Sequence, residues 1–372
     1  MSTKHTRNIL QDPVFGLLDY HSTLNKPKLD FRSHERLCHH PFTYVEVRQN
    51  GDINICCPQW NPASIGNVLS EDLKTIWNGK KAQLIRDSIL DSSYRYCNSE
   101  TCPNIQNWQT HLMVRTPEKI KQLINGVRDT PQHVHFVVDR SCNLSCPSCR
   151  LSKLTQLDHA GKQQALNVIR NVLNSMFETA HNDHKIIGMD GSGEIFSSEV
   201  YREVFETEEV FTNTEKWPNL RFAISTNGTM MTEKNQKKYN KIFAQLAKIE
   251  ISIDAGNKES YETVRVGGQW DLLWKNLDYL YATIKDKKTT RWVWNLIVQK
   301  NNFESIPEFV ALANKYHDYK PELWLTSVLN WGTWSDTEYQ NLAVHLPSHP
   351  LYSKYLEIMN LPEVKNYKNS TI

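Results

Sequence analysis

The sequence predicts an α/β protein with a parallel sheet, preceded by a smaller cysteine-rich α+β part. Three observations carry this. From about residue 132, short apolar runs alternate with amphipathic helical patterns six times in succession, the order that builds parallel βαβ units. Several of the strand runs carry polar residues on one face and apolar residues on the other. Residues 36–105 hold five of the eight cysteines around the turn Gln49-Asn50-Gly51-Asp52, the pattern of a hairpin rather than of a βα unit.

Size and composition bound the answer. At roughly 100–200 residues per domain, 372 residues make two or three domains. A content of 39% hydrophobic and 23% charged residues is that of a globular chain. The formal net charge of +2 gives no global electrostatic case for nucleic acid or membrane partners. The N-terminus MSTKHTRNILQDP has no apolar core of a signal peptide, and no apolar run approaches 18 residues, so the expected location is cytoplasmic. In a reducing compartment, clustered cysteines serve as metal ligands more often than as disulfides.

Taken in order, residues 1–35 are polar and form an expected N-terminal arm, with Pro13 and Pro27. Thr43 to Arg48 and Ile53 to Cys56 flank the Asn-Gly turn and predict a β-hairpin. Ser70 to Arg86 predicts one or two helices, with Ser70 as N-cap before Leu73, Ile76 and Trp77. The stretch 111–131 is an expected helical linker. Beyond it, strands are predicted at 133–139, 186–190, 221–226, 248–254, 291–299 and 322–328, and helices at 161–180, 197–208, 232–246, 270–285 and 304–316. In the first helix Ala165, Ile169, Val172, Leu173, Met176 and Phe177 share a face. Glu250, Ser252 and Asp254 share one face of their strand, as do Ser225 and Asn227, and Asn295 and Gln299. A fully buried parallel strand is apolar on both faces. The polar faces therefore predict a barrel around a wet cavity, or else an antiparallel sheet with one solvated side.

The most informative motif is Cys142-x3-Cys146-x2-Cys149, directly after the apolar run Val134 to Val138. Three thiolates at this spacing suit a soft metal or an iron–sulfur cluster. Three ligands on a four-iron cube leave one iron open to an exogenous group; a three-cysteine zinc site with a distant fourth ligand is the alternative. The arrangement resembles the radical S-adenosylmethionine (SAM) superfamily. The resemblance implies a [4Fe–4S] cluster on Cys142, Cys146 and Cys149 whose open iron chelates SAM. One electron then cleaves SAM to methionine and a 5′-deoxyadenosyl radical, which abstracts hydrogen from substrate. It also implies a partial (βα)6 barrel over 132–330, with 331–372 as a C-terminal extension.

Further motifs carry the same resemblance. Gly191-Ser192-Gly193-Glu194, after the second barrel strand, resembles the Gly-Gly-Glu motif that binds the methionine amino group, with a serine inserted. Ser225-Thr226-Asn227-Gly228 and Ile251-Ser252-Ile253-Asp254 end the next two strands, and Arg265 matches a recurrent arginine. The implied SAM contacts are Ser148, Gly191, Gly193, Glu194, Ser225, Asn227, Ser252, Asp254 and Arg265. Asp254, Glu250 and Asn295 are the candidates for an acid–base role, with Asp139 and Arg140 as further pocket residues.

Upstream, Cys38-x12-Gly51-x4-Cys56 precedes Cys97-x4-Cys102. This resembles the twitch domain, the shortened relative of the SPASM domain, which carries an auxiliary [4Fe–4S] cluster. The resemblance covers 36–110 and implies Cys38, Cys56, Cys97 and Cys102 as ligands. Two features depart from it: the domain precedes the barrel, and the closing pair has x4 spacing. Cys57 beside Cys56 leaves open which of the two ligates, and a four-cysteine zinc site uses the same residues. The expected function is a radical SAM enzyme acting on a peptide or protein side chain or a small metabolite, with a flavodoxin- or ferredoxin-type reductant. A non-catalytic iron–sulfur electron carrier or redox sensor, or a zinc-stabilised binding module, is the alternative.

Overall fold

The structure is a computed structural model that describes residues 10–11, 18–19, 35–99, 102–106, 112–178, 183–189, 193–367 and 370–371. The expected N-terminal arm lies almost wholly outside the described residues, apart from a short antiparallel pair, β1 (Leu10–Gln11) and β2 (Leu18–Asp19). The chain divides into two compact units: Met1–Val138 with Ala160–Ile187, and Asp139–His159 with Gly188–Ile372.

In the first unit, β3 (Arg36–Leu37) enters the cysteine-bearing segment, and a single helical turn, α1 (His40–Thr43), leads into the predicted hairpin. Its strands are β4 (Tyr44–Arg48) and β5 (Asp52–Asn54), antiparallel with Val47 opposite Ile53. Gly51 turns the corner at φ +88°, a left-handed conformation that favours glycine. The second strand stops at Asn54, short of the predicted Cys56, so Cys56 lies in the bend beyond it and Cys57 just after that bend.

An additional strand, β6 (Ser64–Asn67), pairs antiparallel with β5. It escapes a pattern reading because Gly66 leaves a gap, which the side chain of Ile76 fills. That isoleucine lies on α2 (Leu73–Asn78), and α3 (Lys80–Leu90) follows after Gly79. The N-cap of α2 is Asp72, whose carboxylate accepts the Thr75 N–H at 3.0 Å. Ser70 is instead spent on the carbonyl of Asn67. Buried Arg86 ties the layer together, donating to the carbonyls of Pro41 and Trp77 and lying 4.1 Å over the Trp77 ring.

After α4 (Pro103–Gln106), β7 (Met113–Val114) returns to pair antiparallel with β3. The expected linker holds α5 (Pro117–Gly126), capped by Thr116. Strand β8 (His133–Val137) runs parallel to β4, bringing Val134 against Val45 and Phe136 against Val47. The predicted face of α6 (His159–Phe177) is buried at all six named positions, with Leu166 and Val168 beside them. Strand β9 (Lys185–Met189) follows.

The second unit is built on parallel strands. After α7 (Glu199–Thr207) and α8 (Glu209–Thr212) come β10 (Leu220–Thr226), α9 (Glu233–Lys238), α10 (Asn240–Ala244) and β11 (Leu246–Ser252). A short helix not predicted from the sequence, α11 (Lys258–Val264), precedes α12 (Trp270–Ile284). Then come β12 (Arg291–Val298), α13 (Ile306–Asn314) and β13 (Glu322–Ser327). Strands β10 to β13 pair in sequence order, all parallel, which removes the antiparallel alternative. Register aligns Ile224, Ile249 and Trp292 on one face and Ser252, Asn295 and Trp324 on the other.

The first face is the core. Trp292 and Trp294 are buried and pack edge-on to Tyr316, and fully burying an apolar side chain of this kind contributes roughly 1.5–3 kcal/mol or more. The second face is the expected polar one: Ser225, Glu250, Ser252 and Asn295 are only half-buried. The pairings of the two units establish a mixed α/β protein with mostly parallel strand pairing. The C-terminal extension is helical, with α14 (Asp336–Leu342), α15 (Tyr352–Met359) and α16 (Pro362–Lys365). A last strand, β14 (Ser370–Thr371), pairs parallel with β13.

Candidate functional site

The second unit opens on the loop that carries Cys142, Cys146 and Cys149. Its entry is fixed by Asp139, whose buried carboxylate accepts the N–H of Ser141 at 2.8 Å, the hydroxyl of Ser141 at 2.7 Å and that of Ser198 at 2.5 Å. Asp139 is therefore a loop anchor rather than a pocket acid. The loop closes on itself where Cys142 N–H donates to Leu154 O.

Gly193 passes directly over this entry. A Cβ there would lie 2.6 Å from Asp139 O and 2.5 Å from Ser141 O, and the next N–H, of Glu194, donates to Ser141 O at 2.8 Å. Only a residue without a side chain fits so close an approach. Gly191 and the inserted Ser192 lie outside the described residues.

Glu194 is fully buried. Its carboxylate accepts the N–H of Phe196, the N–H of Asn227 and the hydroxyl of Thr226. Burial raises its pKa above the usual carboxylate value, and these donors together with Arg265 oppose the rise. The carboxylate is thus a clasp joining the loop after β9 to the end of β10. Asn227 carries the clasp onward: its amide donates to Asn143 Oδ1 at 2.9 Å and reaches Cys142 Sγ at 3.8 Å.

The other strand end converges on Cys146. Asp254, a non-glycine residue at φ +62°, accepts the Ile297 N–H and pairs with Arg265 at 2.8 Å. A side chain held in this region marks a position that its surroundings over-determine. Arg265 extends to Cys146 Sγ at 3.8 Å. Burial works against its charge, but Asp254, Cys146 and Tyr261 outweigh that and stabilise the guanidinium. Asp254 itself is pushed upward by burial, against Arg265 and the Ile297 N–H. Beside them the Arg265 Nε and the Tyr261 hydroxyl are buried and make no hydrogen bond.

The third sulfur, Cys149, is exposed, and Arg150 donates to it at 3.4 Å. Around it a cavity of about 380 Å³ is lined by Arg140, Arg150, Leu151, Trp331 and Thr333. Ser148 is half-buried in the turn between Cys146 and Cys149. The donor set fits an iron–sulfur cluster: Cys142 is met by the Leu144 N–H and Asn227, Cys146 by Arg265, and Cys149 by Arg150. Polar hydrogens aimed at each sulfur stabilise thiolate ligands. Glu250 is ion-paired with Lys248 at 2.7 Å. Asn295 lies opposite Ser252, and its buried Oδ1 makes no hydrogen bond. Ser225 shares this half-buried face.

In the first unit, Cys38, Cys56, Cys97 and Cys102 line one small cavity with Pro41, Trp60 and Tyr94. Cys57 does not line it. Burial pushes the Cys38 thiol up to about 12, against the His40 N–H, and raises Cys56 and Cys97 well above the usual value. Cys56 also feels the charges of Cys38, Cys97 and Cys102. Buried thiols carry negative charge only when a metal takes the place of the proton, so this set suits a metal group and is inert without one. Among the described residues no group of three or more His, Cys, Asp or Glu is placed to hold a single metal ion. The ligands of a four-iron cluster stand on separate irons.

The sequence reading missed Arg150, Thr226, Asn143 and Tyr261 as site residues. Arg150 adjoins a cysteine and Thr226 sits inside a quoted motif, so position alone marked both. Asn143 and Tyr261 had no signal beyond proximity in the chain.

Residues 38–103 match the SPASM family, an iron–sulfur cluster-binding domain, as the upstream cysteine spacing led us to expect. No curated protein matches the chain. Among solved structures, native anSMEcpe with bound AdoMet and Cp18Cys peptide is similar at 17% identity and a TM-score of 0.33, covering 52% of this chain and 49% of that one. Native anSMEcpe with bound AdoMet is similar at 16% identity and a TM-score of 0.35, covering 52% and 50%. The chain thus spans about half the length of these proteins, and likeness at this level does not define a shared fold. No helix among the described residues is long and apolar enough to cross a membrane.

Proposed function

We propose that the chain is a radical SAM enzyme with an auxiliary iron–sulfur domain, residues 132–330 supplying the partial barrel. The observation that carries this is the set of donors on the three loop cysteines, each sulfur met by at least one polar hydrogen. When bound, the cluster and SAM supply one-electron cleavage of SAM and a 5′-deoxyadenosyl radical that takes a hydrogen atom from substrate.

The chain's own residues divide the remaining work. Cys142, Cys146 and Cys149 hold the cluster. Gly193 and Glu194 fix the loop entry, and Thr226, Asn227 and Asn143 fix Cys142. Ser148, Ser225, Ser252 and Asn295 offer hydroxyl and amide groups suited to the SAM ribose and carboxylate. Asp254, just past the end of β11, is ion-paired with Arg265 at the C-terminus of α11. The buried Oδ1 of Asn295 makes no hydrogen bond. Cys38, Cys56, Cys97 and Cys102 hold the auxiliary cluster, whose four protein ligands suit electron transfer. The substrate is a peptide or protein side chain or a small metabolite, and a flavodoxin- or ferredoxin-type protein supplies the electron.

The test is anaerobic. Protein reconstituted with iron and sulfide, given dithionite and SAM, is expected to release 5′-deoxyadenosine. Intact clusters with no SAM cleavage, even slow and uncoupled, overturn the reading.

A further inference from the structure

Two guanidinium groups reach two of the three loop sulfurs. Arg265 arrives from beyond β11, crossing 119 positions of sequence to Cys146, and Arg150 reaches back to its neighbour Cys149. Neither is loosely placed. Arg265 is gripped by Asp254 at 2.8 Å on a side chain only 13% exposed, and the backbone grips the loop at the same place, where Ser145 N–H donates to Val266 O at 2.9 Å. Arg150 also donates to the carbonyl of Arg140. At the upstream cysteines the donors are of another kind: Cys38 accepts from the His40 backbone, and Cys102 from those of Ile105 and Asn104.

We propose that Arg265 and Arg150 set the reduction potential of the cluster on Cys142, Cys146 and Cys149, with Asp254 positioning Arg265. The proposal rests on the radical SAM reading above and adds to it a role that is not substrate or SAM binding. Reducing the cluster adds one negative charge, shared among its sulfurs. A fixed positive charge and a hydrogen bond at a ligating sulfur stabilise the reduced form more than the oxidised one, so each raises the potential. Lysine at 265 keeps the charge but is a single point donor without the planar fork that serves Asp254 and Cys146 together. In this arrangement Arg265 is held by Asp254 and reaches Cys146, and its Nε makes no hydrogen bond.

The experiment is a potentiometric titration of the reconstituted holoprotein without SAM, followed by the electron paramagnetic resonance of the reduced clusters. The signal of the loop cluster is identified by its loss in Cys142→Ala. Arg150→Gln, Arg265→Lys and Arg265→Gln are compared with the wild type. The expected result is a shift of that signal to more negative potential in Arg150→Gln and a larger one in Arg265→Gln, an intermediate shift in Arg265→Lys, and no change at the other cluster. Arg150→Gln removes a surface-accessible side chain and keeps the test decisive where Arg265→Gln does not fold. An unchanged midpoint in Arg150→Gln and Arg265→Lys, with the cluster assembled, overturns the proposal and leaves the enzyme reading standing. Failure of wild-type protein to assemble a cluster lost in Cys142→Ala overturns the reading itself.

Discussion

Replacing Gly193 with alanine tests the architecture of the site with a single methyl group. The new Cβ would fall 2.5 Å from Ser141 O, 2.6 Å from Asp139 O and 3.0 Å from the Arg140 carbonyl carbon. The obstruction is steric and lies in the backbone, which no rotamer change relieves. An ordinary contact begins near 3.4 Å, so the two strands of chain must part by about 0.9 Å at the tightest point. Overpacking of this kind costs about 1–3 kcal/mol. The movement also stretches the Glu194 N–H to Ser141 O bond, and losing it adds about 0.5–1.5 kcal/mol. A total of about 1.5–4.5 kcal/mol corresponds to about a 10- to 2,000-fold change in a local opening constant, at 1.36 kcal/mol per tenfold. Hydrogen exchange of the cluster-free protein, read by mass spectrometry on peptides covering 139–146 and 193–198, measures that constant. The expected outcome is loss of protection of this size in both peptides, together with reduced iron retention after reconstitution. Unchanged protection in both would mean that the two segments do not approach as described, and the reasoning about the loop entry would fall.

Three other outcomes are expected. Asp254→Asn leaves Arg265 buried without its counter-charge, so it is expected to lose about 3–5 kcal/mol of stability by denaturant unfolding; a loss below 1 kcal/mol would show the pair to be solvated. Burial raises Glu194 above its usual value of 4.5, so the folded protein binds its proton more tightly than the unfolded chain does. Stability of the wild type relative to Glu194→Gln is therefore expected to grow as the pH falls from the folded-state pKa toward about 4.5 and to level off below it; a difference that shrinks over that window contradicts the assignment. Finally, Cys56→Ser is expected to lower reconstituted iron from about eight to about four atoms per chain while Cys57→Ser keeps about eight. Equal iron in the two variants would leave the cavity assignment without support.

Most of the chain from 133 onward was legible because its strands and helices carry strong and different periods. Every predicted strand from 133 onward appears within two residues of its expected limits at each end, and the polar alternation of β11 survives as a half-buried face. The helix predicted over 232–246 is broken near Tyr239, where backbone at φ −104°, ψ 32° separates α9 from α10. No glycine or proline in the sequence marks that break. Elements defined by contact were harder to see. Strand β6 is held by its partner β5 and by Ile76, and its own Ser-Ile-Gly-Asn sequence has little strand preference. Spacing alone placed the cysteines. It did not give the partners that brace Glu194 and Arg265, because such contacts join residues far apart in the chain: Thr226 and Asn227 for one, Asp254 and Cys146 for the other.

The pairing of β3 with β7 has a consequence for how such a chain is assembled. Arg36 lies opposite Val114 and Leu37 opposite Met113, so the segment bearing Cys38 to Cys102 leaves the chain path and rejoins it at one point. A stretch whose two ends meet is topologically an insertion, and splicing it in elsewhere asks little of the flanking chain. Its place in the sheet is set separately, by the parallel pairing of β4 with β8. The module is thus closed at its ends by one pairing and fixed to the sheet by another, and a transplant elsewhere must supply a new partner for the edge of β4.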